Sequence, residues 1–112
     1  MIQKERENLF VLLRSYHESP MPTASSNSSI ATLLTELEKV QDRVISMALG
    51  VFGGKKEFVD WLPDLATFAA KIKVQTKEAK LNRGEGELIG AKVTLLQEVV
   101  GFTHRASLVV VA

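Results

Sequence analysis

Residues 28–54 read SSIATLLTELEKVQDRVISMALGVFGG, and the fold depends on how they are read. Ile30, Leu33, Leu37, Val40, Val44, Met47 and Val51 follow one another in alternating steps of three and four. Residues so spaced lie along one narrow side of an α-helix, so the stretch predicts a rod of about six turns with an apolar seam for a partner helix. Ser28 or Ser29 can cap its first turn with a hydroxyl oxygen. Gly53-Gly54 ends it, because glycine accepts the left-handed backbone of a helix C-terminus.

Downstream, Phe58, Leu62, Leu65, Ala69, Ile72, Thr76 and Ala79 form a second seam of the same kind. Pro63 falls inside it. The pattern predicts a short helix over 55–61, a kink, and a longer helix capped by Asp60 with Pro63 in its first turn, where the missing amide hydrogen loses no bond. Residues 82–86, Asn-Arg-Gly-Glu-Gly, predict a turn, with a last helix starting near Glu87. That helix carries two apolar lines: Ile89, Val93, Leu96 and Val100, and beside them Leu88, Leu95, Val99 and Phe102. Together they cover about half its circumference, which predicts either the central helix of the bundle or a subunit interface.

Upstream, Ile2, Leu9, Leu13 and Tyr16, widened by Phe10 and Leu12, predict an N-terminal helix over 1–18 that Pro20 and Pro22 stop. Residues 19–28 read as a flexible linker, long enough for that helix to pack beside the others or to swap to a neighbour. The β-branched run of Leu108 to Ala112 predicts a short extended tail. The expected fold is therefore all-α, one domain, an up-and-down bundle over 29–112 with three long helices plus the N-terminal helix.

Composition narrows the function. A chain of 112 residues with 46% apolar content can bury a core without metals or disulfides. Fourteen basic against thirteen acidic residues leave a net charge of +1, far from that of a protein committed to nucleic acid. The absence of cysteine removes disulfides, thiolate metal ligands and cysteine nucleophiles together, and suits a reducing compartment. No apolar run is long enough to span a membrane, and the mixed charges of Met1 to Glu7 do not read as a secretory signal. A cytoplasmic protein without a membrane partner is expected.

Chemistry is sparse. A carboxylate-bridged metal site needs glutamate three residues before histidine, and those positions hold Arg14 before His17 and Gly101 before His104. His104 also lacks the mid-helix setting of a phosphoryl carrier. Glu36, Glu38 and Asp42 are interleaved with Lys39 and Arg43, the pattern of a solvated helix face stitched by weak ion pairs. Ser15 and His17 point apart on a helix, and the glycine-glutamate run from Gly84 to Gly90 has neither the spacing nor the charge of a phosphate loop. Trp61, between Phe58 and Leu65, reads as a core anchor. No catalytic residue, metal or cofactor is expected.

Two features stand out from this background. Gly90 and Gly101 share one helix face, and two glycines inside a helix predict the close approach of another helix. With Leu88, Leu95, Val99 and Phe102 they make the expected interface, and the expected function is a non-enzymatic adaptor, assembly or regulatory subunit that docks a protein partner and forms a homodimer. Lys73, Lys77 and Lys80 form a basic line on the third helix, which supports nucleic-acid binding as the alternative. An apolar bundle interior that takes a small ligand is the other alternative.

Overall fold

A computed structural model describes residues 2–21, 28–81 and 83–110. Its helices are α1 (Ile2–Glu18), α2 (Ser28–Ala48), α3 (Glu57–Glu78) and α4 (Arg83–Val110), with a 3-10 segment over Leu49–Gly53 between α2 and α3. No strand occurs among the described residues, and the fold is the expected all-α bundle. Each helix packs on its neighbours in the chain, and α4 closes the ring by packing on α1. The 28 residues of α4 rise about 42 Å at 1.5 Å each, nearly the whole 44 Å length of the molecule.

The seams predicted for α2 and α3 form the interior. Ile30, Leu33, Leu37 and Val44 of α2 and Phe58, Leu62, Leu65, Ala69 and Ile72 of α3 are all buried. Val51 continues the α2 seam into the 3-10 segment, which ends with Gly54 at a φ of 82°, the left-handed cap expected of that glycine. Ile89, Val93 and Leu96 of α4 complete the core from the opposite side.

Several boundaries differ from the sequence reading, each for a local reason. Pro63 does not start a helix: α3 runs from Glu57 through it, and the amide of Asp60 already bonds to the carbonyl of Lys56 at 2.8 Å. Proline removes a single backbone bond, and its ring faces water while Phe58, Leu62 and Leu65 hold the helix to the core on either side. Helix α4 begins at Arg83, not Glu87, because the chain reverses at Lys80, whose φ is +52°. An Arg83 to Glu87 ion pair of 2.8 Å spans the first turn.

The expected extended tail is helix as far as Val110; Val111 and Ala112 lie outside the described residues. Thr103, Ala106 and Ser107, just before the tail, are buried, and valine disfavours helix by only a few tenths of a kcal/mol per residue. Helix α1 packs beside the other helices, with Leu9, Leu13 and Tyr16 buried in the core. Most of the linker, residues 22–27, lies outside the described residues, while Met21 packs on the core.

Candidate functional site

The fold buries one residue of the expected interface on α4 and leaves the others half-buried. Val99 is fully buried, and Leu95 and Phe102 are half-buried against the core; Leu88 is half-buried too. A Cβ added at Gly90 would meet nothing within 4 Å, and one at Gly101 would meet only the Arg105 Nη1 at 3.4 Å. The close helix approach predicted for these glycines is therefore not made among the described residues. Helix α4 packs on α1, α3 and the 3-10 segment, burying Ile89, Val93, Leu96 and Val99 and leaving Leu88, Leu95, Val100 and Phe102 half-buried.

The same face of α4 holds a residue that the apolar pattern hides. Ile89, Lys92, Leu96, Val99, Thr103 and Ala106 step by three and four, so Lys92 occupies a core position of the helix. Only 2% of its surface is exposed. Its Nζ donates to the carbonyl oxygens of Tyr16, of Ser19 at 2.8 Å and of His17 at 3.4 Å, and lies 5.0 Å from the centre of the Tyr16 ring. The last carbonyls of a helix have no intrahelical donor and carry the negative end of its dipole. An ammonium group there satisfies several at once.

Burial holds the Lys92 ammonium below the ordinary lysine pKa. Tyr16 is buried beside it, and its phenol is pushed well above its ordinary value, first by burial and then by the charge of Asp42. The Tyr16 hydroxyl has no hydrogen-bond partner among the described residues. The arrangement anchors α1 and offers no route to a substrate, because both groups are shut inside the bundle. A lysine set in an apolar line was the signal for this anchor; its acceptors lie more than seventy residues away in the chain, beyond any periodicity.

Exposed large apolar side chains lie elsewhere. Phe10 and Val11 of α1 are 56% and 63% exposed, and Val74 of α3 and Leu108 of α4 are comparably bare. Phe10 and Val11 line a groove of about 830 Å³ between α1 and the 3-10 segment, together with Leu49, Phe52, Gln3, Arg6 and Glu7. A smaller groove of about 390 Å³ runs between α2 and α3 beside Trp61. There the Arg43 guanidinium lies 4.1 Å over the Trp61 ring, which meets Phe58 edge-on at 5.9 Å. Trp61 is half-buried, an anchor at the margin of the core and not at its centre.

The remaining polar candidates stay apart. Lys73, Lys77 and Lys80 are open to water. His17 is exposed, with the Gln41 amide nitrogen 3.5 Å from its Nδ1, and His104 is exposed, with its carbonyl accepting from the Ser107 hydroxyl. Glu36, Glu38 and Asp42 all face solvent. Among the described residues no three histidine or acidic side chains gather into a group that could hold a metal ion, and no helix is long and apolar enough to cross a membrane. Compared with protein-family models, with curated proteins and with solved structures, the chain finds no match.

Proposed function

We propose that this chain is a non-enzymatic protein–protein interaction module, an adaptor or assembly subunit of the cytoplasm that presents one helical face. The observation that carries the reading is the outward side of α1, where Phe10 and Val11 stand more than half exposed beside an apolar groove. Exposed aromatic and branched side chains gathered next to a concave apolar wall, with charges beside them, have the make-up of a docking surface. Rigidity adds to it. The inner side of the same helix is fastened by Leu9, Leu13, Tyr16 and the Lys92 ammonium, so the outer side is presented with little ordering left to do on binding.

A photo-cross-linking residue at position 10, expressed in the native cell, tests this. Position 10 should form adducts with protein, while the same group at Glu38, exposed on α2, should form few. Equal yields at the two positions, or none at position 10, defeat the reading.

Nucleic-acid binding is the second reading, supported by the solvent-open line of Lys73, Lys77 and Lys80. Phosphate contacts release counterions, so binding to duplex or single-stranded DNA should weaken steeply with added salt. Titrations that show no binding at low ionic strength remove it. A ligand inside the bundle has no such support, since both grooves described above open on the surface.

A further inference from the structure

The geometry points to a second copy of this chain as the occupant of the α1 groove, docked antiparallel along α1 about a two-fold axis between Phe10 and Val11. This inference rests on the interaction-module reading and names its partner.

The outer side of α1 is self-complementary. With Leu9, Leu13 and Tyr16 facing the core, Gln3, Glu7, Val11, Arg14 and Glu18 fall on the opposite side of α1, within about 80° of one another at 100° per residue, and Phe10 lies at their edge. All six are exposed. Phe10 is also the midpoint of the helix Ile2–Glu18, so an axis beside it uses the full length of α1.

An isologous interface repeats every contact twice. With the axis between Phe10 and Val11, Phe10 meets the partner's Val11, Glu7 meets the partner's Arg14, and Gln3 meets the partner's Glu18. No like charges face each other. Other arrangements do worse: parallel helices set Glu7 on the partner's Glu7 and Arg14 on the partner's Arg14. Sliding the antiparallel pair by one turn in one direction sets Glu7 against the partner's Glu18, and in the other direction sets Phe10 against the partner's Glu7. Charge pattern and apolar pattern therefore select one register together.

The groove supplies the concave half of the fit. Leu49 and Phe52 flank the exposed Phe10, and on docking the partner's Phe10 ring enters the space they bound. Arg14 already pairs with Glu18 of its own helix at 3.2 Å, with 70% and 63% of the two side chains exposed. A guanidinium has five N–H donors, so this ion pair leaves Arg14 able to bond the partner's Glu7 as well.

The decisive experiment is sedimentation equilibrium on the full chain from about 1 to about 100 micromolar, the range of a helix-sized interface. The wild type should pass from monomer to dimer. Glu7→Arg and Arg14→Glu, each of which puts like charges across the axis, should each weaken dimerisation by about tenfold or more. An equimolar mixture of the two variants, or both substitutions in one chain, should recover wild-type association, because opposite charges then face each other again. The residues are exposed, and unchanged helical circular dichroism will show that the monomers remain folded.

A wild-type chain that stays monomeric throughout, or a mixture as weak as the single variants, overturns the dimer. The broader reading fails separately. A monomeric chain whose position 10 still cross-links to another protein loses only the dimer, whereas a monomeric chain with no such adduct loses both.

Discussion

Helices α1 and α4 differ in a way that counting apolar residues does not predict. Helix α4 has two full apolar lines, yet it leaves only Leu108 largely bare among the large hydrophobics of its described side chains. Helix α1 has the lower mean hydropathy of the two and a single narrow inner line, yet it exposes both Phe10 and Val11. The difference lies in where the apolar residues stand. Both helices pack on three neighbouring elements, α4 on α3, α1 and the 3-10 segment, and α1 on α4, the 3-10 segment and α2. Phe10 and Val11 stand off the Leu9, Leu13 and Tyr16 line by which α1 is packed, and apolar surface is left over there.

The strongest way to break this contrast is inside α4. Leu96 is fully buried, and Leu96→Ala should lower unfolding stability by about 2–5 kcal/mol in a urea titration. A cost below about 1 kcal/mol would mean that this side of α4 is not packed in the core.

Next in size is the anchor between the two helices. Lys92→Met keeps the methylene stem but leaves the Tyr16, His17 and Ser19 carbonyls without their donor. The expected cost is about 1–3 kcal/mol. Hydrogen exchange should show the amides of α1 losing protection before those of α3. Uniform loss across both helices would refute the idea that Lys92 fastens α1 in particular.

A smaller effect sharpens the picture of the same contact. The Tyr16 hydroxyl is buried without a partner among the described residues, so Tyr16→Phe should be neutral or slightly stabilising at pH 7. The pH dependence has a definite sign. The native phenol stays protonated above the ordinary tyrosine value of 10.0, where the unfolded chain releases its proton. Below that value both states hold the proton and stability does not depend on it, and above it stability falls with a limiting slope of about 1.4 kcal/mol per pH unit. Urea midpoints of Tyr16→Phe should fall less steeply above pH 10. Parallel curves for the two proteins would place Tyr16 outside the core.

The smallest expected change in stability is at the proposed docking face. Phe10→Asp removes an exposed side chain and should alter unfolding free energy by no more than about 0.5 kcal/mol. Sedimentation should nonetheless show the dimer lost. A large loss of stability would show that Phe10 supports the fold of its own chain.

Legibility followed the type of signal. The seams of α2 and α3 and the cap at Gly54 were readable, because three-and-four spacing and glycine before a polar stretch report local geometry directly. Pro63 and the valine run were misread for different reasons: burial of Leu62 and Leu65 on either side offsets the roughly 3 kcal/mol cost of an interior proline, while valine disfavours helix by only a few tenths of a kcal/mol. On α4, Val99 of the expected interface is buried in the chain's own core while Leu88, Leu95 and Phe102 are half-buried. A wide apolar surface says that a helix is covered, not by what.

From its residues alone this chain is determined to be helical, to have its breaks near Pro20, Gly54 and Asn82, and to bury particular sides of α2 and α3, because each of these depends on contacts between residues a turn apart. Tertiary structure alone decided that α4 packs on both α1 and α3, that Lys92 serves the end of α1, and that Phe10 and Val11 face water. These depend on which rods lie beside which, and neighbours in space are chosen by the summed packing of the whole molecule.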